Sequence, residues 1–494
     1  MGNDMTLNFI YRMALTACAF FIVSCAAEQT NASNTPAPDT RLLKQVAKTP
    51  PMGWNSFDAY DSRINEAQYR KMVDFIAEHL KPYGWEYAVI DYIWWHPEPG
   101  SWNTPEKFIR RIGHPNMRYN EDGSLKYPEL ITMDENGRLL PAVKRFPSAA
   151  GGKGFKPLAD YVHSKGLKFG IHIMRGIHRR AHFEDTPILG TQQSAKDIAE
   201  PWDTCAWNNH MFGVDHTKPG AQEYYNSIFK LYAEWGVDFI KADDMMGTCG
   251  KPHYGYHEGE VEMLHNAIEN SGRPMVLSLS CGQAPISRAN HLVKNANMWR
   301  ISADAWDKWA DLSLSFELLD KWSPFIQEHH WPDADMIPFG RISLDDRPHG
   351  PERMSKYTVP EHYTLMTLFS IARSPLMIGA DLPTTPFETI QTFFMNEEVL
   401  AVNQASTDNR QVKRVEEDHA IWIAKDQKSD DRYLALFNLG EEKKTVTFKM
   451  ELEYLRGKYK VRDLWAKKDL GVIEGSFSAE LDRHGAGLYK LTKL

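Results

Sequence analysis

Residues 221–243, AQEYYNSIFKLYAEWGVDFIKAD, carry the pattern that decides the fold. Apolar residues recur at helical spacing as far as Trp235, Gly236 ends the helix, and residues 237–243 then have the pattern of a short buried strand. The same order of amphipathic helix and apolar strand recurs from about Pro50 to Asp381. Helices and strands that alternate in this way are typical of parallel barrels. The sequence therefore predicts an α/β fold, a (β/α)8 TIM barrel.

Other segments fit the same repeat and extend it beyond the barrel. Strands are predicted at residues 87–92, 167–173, 275–280 and 298–302, and helices at residues 66–79 and 155–165. Residues 96–154 are expected to form an irregular insertion, with Asn136-Gly137 as a hairpin turn. From about Gln411, alternating runs such as residues 419–424, 433–437 and 445–448 predict a C-terminal antiparallel β-sandwich.

The N-terminus has the composition of a bacterial lipoprotein signal. Apolar residues 13–23 follow Arg12 and end at Ser24-Cys25, and this run is too short to span a bilayer. We expect a signal peptide over residues 1–25 with lipid attachment at Cys25, and a flexible tether over residues 26–48. The catalytic domain would then cover residues 49–405 and the sandwich residues 406–494. The alternative is an ordinary signal peptide with an incidental cysteine.

A lipid anchor at Cys25 predicts that the protein is located in the bacterial cell envelope, either in the periplasm or at the outer-membrane surface. It would contact the membrane only through the anchor.

Three cysteines, Cys205, Cys249 and Cys281, remain once Cys18 and Cys25 are set aside, so one bridge and one thiol are expected in an oxidising compartment. The oligomeric state is left open.

Charge and motif content exclude several classes of function. There are 57 Lys and Arg against 65 Asp and Glu, a net charge of −8 without a basic stripe, which argues against a nucleic acid partner. The chain has no CxxC, no HExxH and no glycine-rich phosphate loop, so we expect no metal and no cofactor.

Polar residues fall where predicted strands end, and this indicates an active site. Asp91, His172, Asp243, Cys281 and Asp304 each lie at or just beyond the C-terminal end of an apolar run. One such aspartate would be an ordinary helix cap or turn residue. Several of them converge on the mouth of a barrel, the face where such folds carry their active sites.

Two of these aspartates suit hydrolysis of a glycosidic bond with retention, which needs two carboxyl groups about 5 Å apart. Strand alternation turns Lys241 and Asp243 to the same side, and the ammonium group favours an ionised, nucleophilic carboxylate. Asp304 offers the second acid, with Arg300 in position to bind a hydroxyl or a carboxylate.

Ordered motifs give the chain a family resemblance. PPMGWNS at residues 50–56, WGVD at 235–238, WPDADM at 331–336 and SPLMIG at 374–379 are among the matching pieces, which extend over roughly residues 48–405. The chain resembles the family 27 glycoside hydrolases, the group of α-galactosidases and α-N-acetylgalactosaminidases. The resemblance implies a retaining, exo-acting α-glycosidase, first of all an α-galactosidase, that removes terminal sugars from oligo- or polysaccharides.

The resemblance also assigns roles to individual residues. It implies Asp243 as nucleophile and Asp304 as acid/base, with Lys241 and Arg300 binding the sugar. Asp91 corresponds to a carboxylate that holds outer hydroxyls of galactose, and Asp335 to a further motif aspartate. The set of predicted sugar-binding residues is completed by Trp54, Phe57, His172 and Trp299. Of these, Phe57, His172 and Trp299 could equally pack the rim.

A disulfide bond follows from the same resemblance. Cys205 resembles a cysteine that the family bridges to one just past its nucleophile. The matching position here is Met245, so Cys249 is the expected partner.

The departures from the family pattern concern specificity. Tyr92 replaces the second carboxylate of an Asp-Asp pair, Phe57 a pocket tryptophan, His172 a tyrosine, and Gly282 a glutamate that reads the sugar 2-hydroxyl. An N-acetylgalactosaminide, a pentopyranose such as β-L-arabinopyranose, or a decorated galactoside would each suit such a pocket. A further alternative is a glycan-binding lipoprotein without activity, although both catalytic aspartates are present.

Overall fold

Eight parallel strands form the centre of the catalytic domain. The computed structural model describes residues 41–99, 131–205, 210–246, 255–344 and 350–494. The barrel strands are β1 (Met52–Asn55), β2 (Tyr87–Ile90), β3 (Lys168–Met174), β4 (Phe239–Asp243), β5 (Val276–Leu279), β6 (Met298–Arg300), β7 (Trp331–Asp333) and β8 (Leu376–Ile378). They pair in the order β7-β6-β5-β4-β3-β2-β1-β8, and a parallel bridge between Ile337 and Ile378 closes the ring. The predicted barrel is confirmed.

Strand alternation decides what fills the barrel and what lines its mouth. The inward side chains of the lower layers are apolar and pack against one another, among them Tyr87, Val89, Phe239, Val276 and Trp331. Because successive residues point to opposite faces, two steps further along each strand the same face carries the residues of the mouth. On β4 this face continues from Phe239 to Lys241 and Asp243, and on β2 from Val89 to Asp91.

Helices cover the outside of the barrel, and their ends follow from local sequence. They are Phe57–Tyr60, Glu66–Phe75, Lys156–Ser164, Arg179–Glu184, Ala195–Ile198, Ala221–Trp235, Glu258–Ser271, Ala289–Asn295, Trp309–Trp322, Val359–Ile371, Phe387–Phe394 and Glu397–Ala405. Asn65 and Gln68 form a capping box at the start of Glu66–Phe75. Gly236, in the left-handed conformation, ends Ala221–Trp235 as predicted.

Insertions on the mouth side interrupt the regular repeat. Three short strands, Ile177–His178, Ala199–Glu200 and Met211–Val214, form a small sheet between β3 and the helix Ala221–Trp235. The predicted hairpin turn at Asn136-Gly137 is confirmed, because Met133 and Leu139 form an antiparallel bridge around it and Gly137 has φ +75°. Residues 100–130 of the predicted insertion lie outside the described residues.

The C-terminal part is antiparallel, as the alternating runs predict. Its strands are Ser406–Val415, His419–Asp426, Arg432–Asn438, Lys444–Lys449, Lys458–Asp463, Lys468–Glu474, Ser476–Leu481 and Ala486–Lys493. Six of them form one sheet, and Lys444–Lys449 pairs with Ser476–Leu481 in a second. Apolar side chains of both sheets, including Ile421, Leu436, Phe448 and Phe477, form a common core.

The end of the predicted tether is packed against the barrel, so this part of the prediction is wrong. Leu42 and Leu43 are buried, Leu43–Gln45 forms a turn of 3-10 helix, and the Leu42 amide donates to Glu269 Oε1 at 2.9 Å. Burial of these two leucine side chains stabilises a fixed position for residues 42–45 against the barrel. Residues 1–40, with the signal peptide and Cys25, lie outside the described residues. None of the described helices is long and apolar enough to cross a bilayer.

Candidate active site

Asp243 ends β4 and lies at the mouth, where it is 8% exposed. Its Oδ2 lies 3.0 Å from His172 Nε2, and its Oδ1 accepts the Asp244 amide at 2.8 Å and, at 3.4 Å, the Ser280 hydroxyl. Burial alone would raise the pKa of this carboxyl, but the hydrogen bond and charge of His172, with the Lys241 charge, hold it below its usual value. An ionised carboxylate at this position suits a nucleophile.

Lys241 forms an ion pair with the buried Asp91 beside Asp243. Lys241 Nζ lies 2.8 Å from Asp91 Oδ2, which also accepts from Asn55 Nδ2 at 2.7 Å. Burial opposes the charge on both groups. The Lys241 charge nevertheless lowers the pKa of Asp91, and the charges of Asp91 and Asp243 raise the pKa of Lys241. The pair therefore remains charged and presents fixed polar groups to the mouth.

Arg300 joins two carboxylates on the other side of the mouth. Its Nη2 lies 3.3 Å from Asp304 Oδ1 and 2.7 Å from Asp335 Oδ2. The Asp304 side chain is 50% exposed, so solvent and a leaving group can reach it, whereas that of Asp335 is buried. Burial raises the pKa of Asp335, the charges of Asp304 and Asp333 add to the rise, and Arg300 opposes it.

Three residues that depart from the family pattern also lie at the mouth. The Tyr92 ring meets the His172 imidazole edge-on, with centroids 5.6 Å apart, and Tyr92 is 2% exposed. Phe57 is partly buried, and Lys241 Nζ lies 5.9 Å from the centre of its ring. The sequence leaves His172 as either a sugar-binding or a rim-packing residue, and in the structure it contacts the predicted nucleophile Asp243 directly.

Two predicted sugar-binding residues, Trp54 and Trp299, face away from the mouth, and these predictions are wrong. Trp54 is fully buried, packs against Tyr69 of a surrounding helix, and donates its indole N–H to the Ala380 carbonyl at 2.7 Å. Trp299 is also fully buried and lies 5.8 Å from Trp322, ring centre to ring centre. Both alternate with inward residues on their strands, so their side chains join the layer between strands and helices.

Asp58 is a mouth residue that the sequence did not reveal. It follows Phe57 in the short helix after β1, and its Oδ2 has no hydrogen-bond partner among the described residues. Burial raises its pKa well above the usual value, and the charges of Asp335, Asp304 and Asp91 add to the rise. Its carboxyl also packs so closely on Gly379 that a Cβ there would lie 2.1 Å from Oδ2. The residues around Asp58 come from other strands and loops of the barrel, so no local sequence motif predicts that it lies at the mouth.

Arg175, also missed by sequence reasoning, joins three carboxylates behind the nucleophile strand. Its guanidinium lies 2.7 Å from Asp203, 2.7 Å from Glu260 and 3.1 Å from Asp244. Burial raises the pKa of Asp244 to about 7, the Asp243 charge adds to the rise, and Arg175 opposes it.

Among the described residues, the ligand atoms of Asp203, His257 and Glu260 lie close enough together to hold a metal ion, and these three residues belong to the same cluster. The Arg175 cation already bonds two of these three residues, so the donor set does not fit a second cation.

Cys205 is buried, and its side chain hydrogen-bonds to Asp244. Its predicted partner Cys249 lies outside the described residues, so the disulfide stays a prediction. Cys25 also lies outside the described residues, so lipid attachment there stays a prediction.

Family comparisons match both parts of the chain. Residues 129–209 and 211–405 match the family model for alpha galactosidase A, and residues 416–491 match the model for the alpha galactosidase C-terminal beta sandwich domain. Alpha-galactosidase 2 of Arabidopsis thaliana is 26% identical over 453 residues, which cover 91% of this chain and 90% of that protein.

Two solved structures are more similar in sequence. A GH27 β-L-arabinopyranosidase from Geobacillus stearothermophilus is 45% identical, with a TM-score of 0.81, and the match covers 91% of this chain and 98% of that one. A Bacillus halodurans protein described as an α-N-acetylgalactosaminidase is 40% identical, with a TM-score of 0.77, over 90% of this chain and 97% of that one.

Proposed function

Because the chain belongs to family 27 of the glycoside hydrolases, we propose that it is a retaining exo-glycosidase that releases terminal β-L-arabinopyranose from oligo- or polysaccharides. It is an enzyme of the α-galactosidase-like class, and the choice of sugar within that class is the proposal. Tyr92 is the observation that carries this choice. The 45% identity to a β-L-arabinopyranosidase supports it.

Tyr92 bears on specificity at the sixth carbon of the sugar. β-L-Arabinopyranose has the ring and hydroxyl arrangement of α-D-galactopyranose but lacks the hydroxymethyl group. Tyr92 adjoins Asp91, the residue expected to hold outer hydroxyls, and replaces a carboxylate of the galactosidase pattern with a buried phenol that packs on His172. A hydroxymethyl group there would lose a charged hydrogen-bond partner and meet an aromatic ring, and a pentopyranose avoids both costs.

α-Galactosidase is the second candidate, and the curated relatives favour it. The α-galactosidases of Arabidopsis thaliana and Coffea arabica are 26% and 27% identical over about nine-tenths of this chain. The retained Lys241–Asp91 pair would serve either sugar, since both have the same ring hydroxyls. An N-acetylgalactosaminide is a third substrate to test, because Gly282 stands where the family pattern has the glutamate that reads the 2-hydroxyl, and a 40% identical protein is named for that activity.

In the proposed mechanism, Asp243 attacks the anomeric carbon while the Asp304 carboxyl protonates the departing glycosidic oxygen. A covalent glycosyl ester on Asp243 and a free alcohol result. Asp304, now a carboxylate, takes a proton from water, and the resulting hydroxide displaces Asp243 from the anomeric carbon. The sugar is released with its original configuration, and Asp304 regains its proton. Arg300 holds Asp304 beside the bond throughout.

Hydrolysis of matched aryl glycosides tests the proposal. Aryl β-L-arabinopyranoside, aryl α-D-galactopyranoside and aryl α-N-acetylgalactosaminide are compared by kcat/KM, with Asp243→Ala as the blank. Asp160→Ala, which removes an exposed carboxylate on an outer helix, is the control for substitution as such. We expect the arabinopyranoside to be the best substrate, with turnover lost in Asp243→Ala and unchanged in Asp160→Ala.

The other outcomes separate the alternatives. A preference for the galactoside would replace the first candidate by the second. Failure on all three aryl glycosides, with binding of the free sugars retained, would favour the glycan-binding protein without activity. Asp304→Ala should keep residual activity on aryl substrates, because a good leaving group needs little protonation.

We also propose that the chain is anchored in the bacterial cell envelope by a lipid on Cys25, and that Cys205 pairs with Cys249. The short apolar run that ends at Ser24-Cys25 supports the anchor. Mass spectrometry of the natively expressed protein should find an acylated N-terminal cysteine that Cys25→Ser abolishes. Finding Cys205 and Cys249 both as thiols in that material would rule the disulfide out.

A further inference from the structure

Trp202 exposes its indole to an unusual degree beside the barrel mouth. It is 98% exposed, whereas eight of the other 14 tryptophans are among the ten largest fully buried side chains of the described residues. An indole this exposed contributes almost nothing to the core, and its faces are open to stack on a ligand.

The backbone that carries Trp202 is held firmly in place. The Asp203 amide donates to the Glu200 carbonyl at 3.0 Å, and the Asp203 carboxylate forms a bidentate ion pair with Arg175, at 2.7 and 2.9 Å. Gly213 permits this pairing, because a Cβ there would lie 2.4 Å from Asp203 Oδ2. The indole is therefore presented on a turn fixed by a buried cation.

The same contacts connect Trp202 to the catalytic strand. Arg175 Nε bonds the carbonyl of Asp244, at 3.1 Å, and Asp244 follows Asp243. Arg175 also connects the two segments directly, because its own amide donates to the Asp243 carbonyl at 3.0 Å while its guanidinium pairs with the Asp203 carboxylate. One arginine residue therefore spans the separation between the Asp203 carboxylate, next to Trp202, and the nucleophile strand.

A cleft of about 600 Å³ lies beside the indole. Its lining adds hydrogen-bonding groups of both charges to the aromatic surface, from Glu200, Asp215, Lys218 and His257. An aromatic face beside mixed polar groups suits a neutral polyhydroxyl ligand, because sugar C–H faces stack on rings while the hydroxyls hydrogen-bond at the edges. An anion or a cation would meet a like charge in the same cleft.

We propose that Trp202 and this cleft form a subsite for the carbohydrate on the leaving-group side of the scissile bond. The proposal rests on the proposed glycosidase function and adds the substrate class: a glycan that continues beyond the terminal sugar across the rim. The terminal sugar binds between Asp243 and Asp304, and the next units stack on the indole of Trp202.

A pair of substrates tests the subsite. One is aryl β-L-arabinopyranoside, which ends at the scissile bond, and the other is a short galacto-oligosaccharide capped by β-L-arabinopyranose. Trp202→Ala should raise KM for the oligosaccharide about tenfold, equivalent to ~1.4 kcal/mol, with kcat unchanged and with both constants for the aryl glycoside unchanged. Trp202→Phe should recover part of the loss. Tyr454→Ala, which removes a ring that is 88% exposed on the sandwich, is the matched control.

A binding measurement keeps this test independent of turnover. Calorimetric titration of the oligosaccharide into the full-length Asp243→Ala protein, with and without Trp202→Ala, should show the same loss of affinity. An equal effect on both substrates, or undiminished oligosaccharide binding after Trp202→Ala, would overturn the subsite. Absence of turnover in the wild-type protein, with Trp202-dependent binding retained, would instead count against the proposed hydrolysis and leave the subsite standing.

Discussion

His172→Phe is predicted to move the acidic limb of the pH–activity profile to higher pH. The substitution keeps a flat ring against Tyr92 but removes the imidazole nitrogen that lies 3.0 Å from Asp243 Oδ2. Burial raises the pKa of Asp243, and His172 is the largest of the influences that lower it. Without His172, the nucleophile should hold its proton to a higher pH and be inactive over a wider acidic range.

The size of the shift follows from the lost hydrogen bond. A hydrogen bond to a charged group is worth about 1.5–3 kcal/mol, and one pKa unit corresponds to about 1.4 kcal/mol. The limb should therefore move up by about 1–2 pH units, with activity recovering above it because Lys241 still favours the ionised form. The plot of kcat/KM against pH reports this group in the free enzyme.

Ser280→Ala is the matched control for this experiment. The Ser280 hydroxyl lies 3.4 Å from Asp243 Oδ1, a long contact that should contribute little. We expect a much smaller shift than for His172→Phe. An acidic limb that stays in place in His172→Phe, or an equal shift in both variants, would refute the assignment of His172 as the group that keeps Asp243 ionised.

Three further substitutions test separate parts of the account. Tyr92→Asp should raise kcat/KM for the aryl α-galactoside relative to the arabinopyranoside about tenfold, or ~1.4 kcal/mol, and an unchanged ratio would remove Tyr92 as the specificity residue. Trp299→Ala should cost about 3–5 kcal/mol of unfolding free energy in urea and leave KM unchanged, whereas a KM effect without destabilisation would return Trp299 to the sugar site. Arg175→Met should destabilise by about 3–5 kcal/mol because it leaves buried carboxylates unpaired, and a melting temperature equal to that of the wild type would contradict this.

Strand positions in the barrel were predictable because each strand is a short apolar run next to a helix with clear ends. Residues 237–243 were predicted and β4 is Phe239–Asp243, and residues 298–302 were predicted where β6 is Met298–Arg300. Strand ends in the structure differ by up to two residues from the apolar runs, since ends depend on hydrogen bonds to neighbouring strands.

The errors at the site have one physical origin, the choice of strand face. Trp54 and Trp299 are predicted to bind the sugar, but each stands next to an inward position, and a one-residue step along a strand reverses the direction of the side chain. Asn55 and Arg300 take the inward positions instead. Asp58 and Arg175 were missed because their partners come from other strands and helices, and no spacing in the sequence records such contacts.

Covalent trapping tests the central claim, that Asp243 is the nucleophile of a retaining glycosidase. The wild-type protein is incubated with an activated 2-deoxy-2-fluoro glycoside of the sugar it turns over, and intact-mass analysis and peptide mapping locate the label. We expect one glycosyl adduct, an ester on Asp243, that is absent from the Asp243→Ala protein and unchanged in the Asp160→Ala protein. An adduct on another carboxylate, or a first hydrolysis product of inverted configuration, would contradict it.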